Sequence, residues 1–332
     1  MFGIHIISHE PHFVYLKRLV TSIVSYMSPV PRIFVFVDTE ADKASCERVL
    51  GEEAKWTEIT SMQTLMSDNN FGLMKPERFE SAFAGKFVFG PWGAGGHRSW
   101  VAVKRTYSLL FLKQVGLKSA LCLDSESLIL KEVDVKKLTQ DHGVDPVLTI
   151  CEDFDDKGNW NFPYNVQALT CFGMNLQLQN VFKSVAAGYR QNDFWFIHLN
   201  EFSSMIDSLI SLTGLEISKW LGGSEQSLYE KYLYLKFLEG ELSVELISLD
   251  RPIKAILSPA ITDMHHNRLF LSIISSDNID LDVAADVLNR EYFNKVPAFR
   301  GDYMRQCLAY PRGKELLERL NICLAVSNFQ GV

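Results

Sequence analysis

The first part of the chain changes from an apolar run to helical spacing and back again. Residues 3–7 and 33–37 are each short and mostly apolar, which predicts two buried strands. Between them, apolar residues recur every three or four positions, as in an amphipathic helix, at Phe13, Leu16, Val20, Ile23, Val24 and Met27. Strand, helix and strand in this order predict a βαβ unit, and therefore an α/β fold whose sheet begins parallel.

Two later strands are predicted to end in acidic residues. Residues 97–114 have a helical pattern, and residues 120–123 then form an apolar run that ends at Asp124. Residues 147–151 form the next predicted strand, and a cluster of acids that includes Asp153 follows it. In α/β sheets, ligands bind beyond the carboxyl ends of the strands. These acids are therefore candidate ligand-binding residues.

The pair Asp124 and Glu126 is the sharpest chemical signal in the chain. A carboxylate at the end of a buried strand needs a partner or a metal, because a desolvated charge is costly. Two carboxylates two residues apart on an extended segment point the same way, so both can contact a hard divalent cation. The pair alone does not exclude a simpler interpretation, in which a polar turn with solvated acids follows the strand.

Length, composition and charge indicate how large a core the chain can bury and which partners it attracts. The chain has 332 residues, of which 47% are hydrophobic, so it can bury a sizeable core. We expect one large domain over residues 1–270, followed by a helical extension over residues 271–332. The formal net charge of -7 gives the protein no general attraction for nucleic acid.

The cysteines and the apolar runs indicate the cellular compartment in which the protein is expected. The six cysteines are scattered without a C-x-x-C pair, a usage typical of a reducing compartment that gives no hint of zinc. No apolar run is long enough to cross a bilayer, and the amino-terminal residues are predicted as a strand instead of a signal peptide. The sequence therefore predicts a cytoplasmic protein, with peripheral contact to a membrane left open.

The order of motifs around Asp124 is similar to that of a known enzyme family. The chain runs from a Gly-Gly-x-Arg motif ending at Arg98, through a helix and a strand, to the Asp-x-Glu pair. This order resembles the GT-A fold glycosyltransferases, in a bacterial or viral form, whose Asp-x-Asp or Asp-x-Glu motif follows a hydrophobic strand. The resemblance implies a Rossmann-like, mainly parallel sheet flanked by helices. It also implies Mn²⁺ or Mg²⁺, held by Asp124 and Glu126 against the diphosphate of a sugar nucleotide.

The same resemblance assigns residues to donor binding. The implied donor is a nucleotide sugar, expected to be a UDP-sugar, and the acceptor is a glycan or another hydroxyl compound. The residues that match the donor-binding parts of the family are Ser8, Asp38, Arg98, Lys104, Ser125 and Gly173. Simpler interpretations stay open for some of them. Asp38 would also suit a cap or turn, and Lys104 and its neighbour Arg105, each taken singly, are better interpreted as solvated.

The resemblance also points to a third metal ligand and a general base. In many GT-A enzymes a carboxy-terminal His completes the metal site, and His265 and His266 lie where it would fall. Glu225, in a Ser-Glu pair at a predicted helix start, resembles the base of inverting enzymes, with Asp153 as a substitute. The simpler interpretations are a surface His pair and a Glu that complements the helix dipole. If Glu225 is not the base, a retaining enzyme is equally compatible.

Two other functions compete with the glycosyltransferase. A non-catalytic glycan- or nucleotide-binding protein would share the binding residues and lack turnover. A sugar-nucleotide pyrophosphorylase would use the same metal and a similar sheet, but it needs a glycine-rich loop directly after the first strand. Ser8-His9-Glu10-Pro11 does not resemble such a loop, so this alternative is less favoured.

Overall fold

A computed structural model defines the fold over most of the chain. It describes residues 1–68, 71, 73, 96–150, 171–172, 194–213, 225–248, 250–257 and 266–326. For residues 96–99, 150, 213, 250, 254 and 266–269, it describes the backbone alone.

Strands and helices alternate through the described part of the first half, and helices dominate residues 266–326. The strands are β1 (Phe2–Ile7), β2 (Met27–Ser28), β3 (Arg32–Val37), β4 (Thr57–Ser61), β5 (Ser119–Asp124), β6 (Leu128–Ile129), β7 (Val133–Asp134), β8 (Val147–Ile150), β9 (Trp195–His198), β10 (Glu245–Ser248), β11 (Ala298–Arg300) and β12 (Leu324–Val326). The α-helices are α1 (Phe13–Tyr26), α2 (Glu40–Leu50), α3 (Met62–Asp68), α4 (Gly96–Gln114), α5 (Val135–His142), α6 (Leu199–Thr213), α7 (Glu225–Leu238), α8 (Asp250–Leu257), α9 (His266–Ser275), α10 (Leu281–Leu288), α11 (Gly301–Leu308) and α12 (Pro311–Arg319).

Among the described residues, the central sheet has five strands in the order β4-β3-β1-β5-β9. β1 lies between β3 and β5 and is parallel to both, and β3 is also parallel to β4. Of these five strands, only the edge strand β9 is antiparallel, along β5. The βαβ unit predicted at the amino terminus is therefore present, and the predicted α/β class with a mainly parallel sheet flanked by helices is confirmed.

Alternate side chains of each central strand enter two different hydrophobic clusters, because successive side chains of a strand point to opposite faces. On the first face, Val35 and Leu121 pack with α1 and with parts of the carboxy-terminal region. On the second face, Phe36 and Ala120 pack with α3, α4, α6 and α7. The sheet therefore separates two helical layers, and the second layer carries the site described below.

The strand β9 was not predicted from the sequence. The pattern indicates helix from about residue 178 to 212, whereas residues 195–198 pair antiparallel with β5 and the helix α6 begins only at Leu199. A four-residue apolar run satisfies both a buried helix and a buried strand, so periodicity cannot separate the two. The edge position beside β5 decides the conformation here, and that is a tertiary effect.

The carboxy-terminal region is mainly helical, as predicted, and it also contains two short strands. β12 is parallel to β11 and antiparallel to β6, so the end of the chain pairs with the segment that follows β5. Phe293 and Leu320 lie in the same hydrophobic cluster as α1. The domain boundary at residue 270 stays a prediction. Among the described residues, no helix is both long and apolar enough to cross a membrane.

Candidate active site

The chain turns sharply where β5 ends. Asp124 is the last residue of the strand, and the backbone N–H of Ser127 donates to its carbonyl oxygen at 2.9 Å, which closes a turn. Glu126 lies in that turn, so the extended geometry expected for the Asp-x-Glu pair is wrong. The two carboxylates contact opposite helical layers instead. Glu126 Oε1 lies 3.2 Å from His12 Nδ1, at the start of α1, and Asp124 faces α4.

Arg105, on α4, connects Asp124 with Glu225. Its Nη2 lies 2.5 Å from Asp124 Oδ1, and its Nη1 lies 3.0 Å from Glu225 Oε1. Its guanidinium carbon lies 5.1 Å from the ring centroid of Trp195, in β9, within the range of a cation–π contact. Glu225 is the first residue of α7, so three elements distant in the sequence meet at one guanidinium.

The charges in this trio do not cancel. Burial by itself would lower the pKa of the Arg105 guanidinium, but the Asp124 and Glu225 carboxylates outweigh burial and raise that pKa. Arg105 therefore stays protonated, and one positive charge faces two negative charges. The side chain of Glu225 is only 5% exposed, whereas that of Asp124 is 40% exposed. Asp124 is therefore the more accessible of the two carboxylates that contact Arg105.

A second ion pair, in which the cation is buried and the carboxylate partly exposed, lies beside the first. Lys104 Nζ donates to Asp38 Oδ1 at 2.8 Å, and Trp100 Nε1 donates to the same oxygen at 3.1 Å. Burial lowers the pKa of the Lys104 ammonium, against the attraction of Asp38. The residue that caps α2 is Thr39, whose side chain accepts from the backbone N–H of Asp42. The interpretation of Asp38 as a cap is therefore wrong.

Both basic residues of α4 are largely buried, so their interpretation as solvated is also wrong. The side chain of Lys104 is 2% exposed and that of Arg105 is 17% exposed. The helical spacing of the sequence could have indicated that these two side chains are buried. Lys104 lies three residues before the buried Tyr107, and Arg105 lies four residues before the buried Leu109. A basic residue within an apolar stripe indicates a buried partner, and the partner's identity is not visible in that spacing.

Ser8 and Ser125 lie together at the same edge of the sheet. Both are buried, and Ser8 Oγ donates to Ser125 Oγ at 3.2 Å. Ser125 Oγ in turn donates to the carbonyl oxygen of Ile7 at 3.4 Å. The loops that follow β1 and β5 are thus joined through two of the predicted donor-binding residues. Two hydroxyl groups close to the carboxylates are polar groups of the kind that orient a ligand.

A histidine inside the sheet supports the helix that carries Lys104 and Arg105. His5 Nε2 lies 2.6 Å from Ser108 Oγ, and Ser108 Oγ donates to the carbonyl oxygen of Lys104 at 2.7 Å. Ser108 Oγ therefore accepts from His5 Nε2–H. Burial, followed by the charge of Arg105, lowers the pKa of His5 from 6.5 to about 3, so the imidazole is neutral. The hydrogen bond between His5 and Ser108 therefore joins β1 to α4 next to Lys104 and Arg105.

The amino-terminal half of α7 is also polar and buried. Five consecutive or nearly consecutive polar residues there are buried, namely Glu225, Gln226, Ser227, Glu230 and Lys231. Burial lowers the pKa of Lys231 from 10.5 to about 8, against the attraction of Glu230. Buried charge of this kind is often found next to ligand sites.

The residues at this edge fit a divalent cation in the type of their donor atoms. Mg²⁺ is typically held by one or two carboxylates together with substrate phosphates and water, and Asp124 and Glu126 provide two carboxylates. Within the described residues, no group of three or more His, Cys, Asp and Glu side chains could hold a metal ion. His265 lies outside the described residues, and His266 begins α9 without a described side chain.

The remaining predicted residues are not located in detail. Asp153 and Gly173 lie outside the described residues, and Arg98 lies in the first turn of α4, where the backbone alone is described. The structure thus brings together Ser8, Asp38, Lys104, Asp124, Ser125, Glu126 and Glu225 at the carboxyl edge of the sheet. The structure also places Arg105 between Asp124 and Glu225, in contact with both.

No protein-family model matches the chain, and no curated protein matches it. Among solved structures, the mannosyltransferase Ktr4p from S. cerevisiae is 11% identical, with a TM-score of 0.42, over 74% of this chain and 68% of that chain. Core-mannan synthase A from Aspergillus fumigatus, in its Mn/GDP form, is 12% identical, with a TM-score of 0.41, over 74% and 72%. The galactosyltransferase LgtC, with donor and acceptor sugar analogs, is 14% identical, with a TM-score of 0.38, over 79% and 80%. Likeness this low establishes neither a family nor an activity, so the site is interpreted from its own side chains.

Proposed function

We propose that the protein is a metal-dependent glycosyltransferase of the GT-A fold, which moves a sugar from a UDP-sugar or similar nucleotide sugar to a hydroxyl acceptor such as a glycan. The observation that carries this proposal is the meeting of Asp124 and Glu225 at Arg105. That meeting point lies at the carboxyl edge of a mainly parallel sheet, where α/β proteins bind their ligands. It supplies one accessible carboxylate for a cation and one buried carboxylate for proton transfer.

On the donor side, Asp124 would hold Mn²⁺ or Mg²⁺, and Glu126 would join it after leaving His12, which it contacts at 3.2 Å. Such an ion, when bound, neutralises the charge that develops on the departing diphosphate. Ser8 and Ser125 offer hydroxyl groups for hydrogen bonds to the nucleotide, because they lie in the adjoining loops after β1 and β5. Asp38 follows β3 on the other side of β1 and is paired with Lys104 of α4, where the nucleoside would lie in the proposed fold.

On the acceptor side, Glu225 would accept the proton of the attacking hydroxyl. A carboxylate that does this must lie within hydrogen-bond reach of that hydroxyl and be free to take its proton. Arg105 contacts Glu225 at present, so Arg105 has to release Glu225 before catalysis. Attack assisted by this base inverts the anomeric configuration. Asp153 is the substitute base, and a retaining path remains the alternative if neither carboxylate acts.

The test is release of nucleoside diphosphate from a panel of sugar nucleotides, with and without Mn²⁺. We expect Mn²⁺-dependent release by the wild-type protein and a loss of about 100-fold or more in Asp124→Asn, because the cation loses a ligand. Glu58→Gln is a matched control, since Glu58 is an exposed carboxylate paired with Arg32 away from the site. Release that needs no metal, or that Asp124→Asn leaves unchanged, would contradict the proposal.

The second candidate is a non-catalytic protein that binds a glycan or nucleotide. The contact between Arg105 and Glu225 favours it, because a carboxylate held by a guanidinium is a poor base. This candidate predicts that sugar nucleotides bind without turnover under every metal condition. The cytoplasmic location and the lack of nucleic-acid binding stay predictions from the sequence.

A further inference from the structure

A tryptophan lies against the guanidinium of Arg105, at the edge of the sheet that carries the candidate site. Trp195 is the first residue of β9, and it pairs with Cys122 of β5. Asp124 lies two residues beyond Cys122, so its side chain points to the same face of the sheet as those of Cys122 and Trp195. Diagonal neighbours of this kind are separated by about 7–8 Å. The indole of Trp195 is therefore next to Asp124.

The indole N–H of Trp195 has no hydrogen-bond acceptor among the described residues. The residue is 7% exposed, and its Nε1 atom is buried. Trp100 is buried to almost the same extent, at 8% exposed, but its Nε1 donates to Asp38 Oδ1 at 3.1 Å. An indole N–H can only donate, and a buried donor without an acceptor is costly. The fold thus provides an acceptor for one buried indole and leaves the other without one.

Other buried polar atoms without a partner are weaker indications of a ligand. The hydroxyl of Ser127 can rotate, and Nδ1 of His142 can be the ring nitrogen that carries no proton. Neither has to be an unpaired donor with a fixed direction, whereas the N–H of Trp195 is one. Ligands of α/β proteins bind beyond the carboxyl ends of the strands, close to Trp195. A ligand oxygen is therefore the acceptor that this position suits.

The contact with Arg105 leaves the edge of the ring available. The guanidinium carbon lies over the ring, 5.1 Å from its centroid. The N–H lies in the plane of the ring, so it can donate to an atom beside the ring while the cation–π contact stays in place. Asp124 is 40% exposed, so solvent reaches the surroundings of the indole. The Nε1 atom itself is covered, and a shift of neighbouring side chains, which is common on binding, would uncover it.

We propose that the indole N–H of Trp195 binds the ligand directly, by donating a hydrogen bond to an oxygen of the sugar or of the diphosphate in a sugar nucleotide. The inference rests on the proposed function for the class of ligand. Hydroxyl and phosphate oxygens both accept hydrogen bonds, so the chemistry is the same for the two parts of the ligand. A ligand that lacks this oxygen leaves the buried donor unpaired and is bound less tightly. Trp195 thus contributes to specificity as well as to affinity.

The test is equilibrium binding, by calorimetry with Mn²⁺ present, of UDP-glucose, UDP-galactose, GDP-mannose, UDP and GDP to wild type and Trp195→Phe. Phenylalanine keeps an aromatic ring beside Arg105 and removes the N–H. We expect Trp195→Phe to bind about tenfold more weakly, the effect of one lost hydrogen bond. Weakening for the sugar nucleotides alone places the acceptor on the sugar, and equal weakening for UDP or GDP places it on the diphosphate.

Trp56→Phe is the matched control. Trp56 is an exposed tryptophan that also has a cation near its ring, Lys55 Nζ at 6.0 Å from the centroid. This variant should bind every probe as wild type does. Wild-type affinity of Trp195→Phe for each probe that wild type binds would overturn the inference, as would equal weakening in Trp56→Phe. If Trp195→Phe does not fold, Trp195→Tyr, which also lacks the indole N–H, is measured, and wild-type affinity in it overturns the inference.

The inference and the proposed function fail in different ways. Mn²⁺-dependent turnover together with unchanged affinity in the Trp195 variants contradicts the role of Trp195 alone. Tenfold weaker binding in Trp195→Phe, in a protein whose wild type binds without turnover, supports the role of Trp195 and contradicts the glycosyltransferase. No binding of any probe to wild type contradicts both.

Discussion

The two faces of the central sheet are built from different kinds of residue. The first face packs against α1, whose buried side chains are Phe13, Leu16, Leu19, Val20, Ser22 and Ile23, with no charge among them. On the second face, α4 and α7 contain every buried Lys, Asp, Glu or Arg in the described part of the chain, namely Lys104, Glu225, Glu230 and Lys231. The partly buried Arg105 also lies on this face.

This difference separates residues that stabilise the fold from residues that serve the site. A desolvated charge is costly unless it is paired, and a well-packed apolar residue in its place is often as stabilising or more so. The first face shows that this chain can build a helix–sheet contact without charge. Charge concentrated on the second face is therefore better explained by function than by stability.

The largest expected effect is on turnover, from a change on the charged face. Glu225→Gln keeps the shape of the side chain and removes the base, so we expect turnover to fall about 10²- to 10⁴-fold with the protein still folded. Glu58→Gln should keep wild-type turnover, because its partner Arg32 lies away from the site. Near-normal turnover in Glu225→Gln would remove Glu225 from the mechanism.

A substitution on the apolar face should lower the stability of the protein and leave its turnover unchanged. Leu16 is fully buried in α1, and Leu16→Ala leaves a cavity that costs about 2–5 kcal/mol of the free energy of unfolding. Urea unfolding measures this loss. Mn²⁺ affinity and turnover per folded molecule should stay at wild-type values, because Leu16 belongs to the uncharged buried side chains of α1. A large fall in Mn²⁺ affinity in the folded variant would show that the two faces are not independent.

The charged face should also be sensitive to acid through His5. Its pKa is about 3 in the folded protein and near 6.5 in the unfolded chain, so the unfolded chain takes up the proton first. Stability from His5 is complete above pH 6.5 and declines as the pH falls toward the folded pKa. Between pH 6.5 and 4 we expect a loss on the order of 2–3 kcal/mol, measured by urea unfolding.

The matched variant for this pH effect is His5→Gln, which removes the titrating group and keeps an amide donor at the position of Nε2 for Ser108. Over the same pH range, its free energy of unfolding should decline less steeply than that of wild type. His142, whose pKa burial lowers to about 4, would titrate equally in both proteins and cancels in the comparison. If the free energy of unfolding declined equally steeply with falling pH in both proteins, the assignment of this pH effect to His5 would be contradicted.

The elements of the first half could be predicted because their signals are local. The helix α1 and the strands β1, β3 and β5 have unbroken periodic patterns, and they occur within one or two residues of the predicted positions. The strand β9 could not be predicted, since four apolar residues suit helix and strand alike. Its conformation depends on β5, which lies more than seventy residues earlier.

The candidate site was predictable by residue type and less so by geometry. Asp124 and Glu225 were recognised separately, but their shared contact with Arg105 depends on how α4 and α7 pack on the sheet. The turn after Asp124 directs Glu126 toward His12, and no pattern in the Asp-x-Glu pair specifies that turn. Sequence spacing indicates which side chains are unusual, whereas their partners are set by tertiary structure.

The central claim is that the carboxyl edge of the sheet binds a sugar nucleotide together with a divalent cation. Thermal unfolding of the wild-type protein and of Asp124→Asn, with a panel of sugar nucleotides and with or without Mn²⁺, tests it most directly. The account predicts that at least one sugar nucleotide raises the wild-type melting temperature by several degrees with Mn²⁺, and by less without it or in Asp124→Asn. No shift with any sugar nucleotide, or an equal shift in Asp124→Asn, would contradict the account.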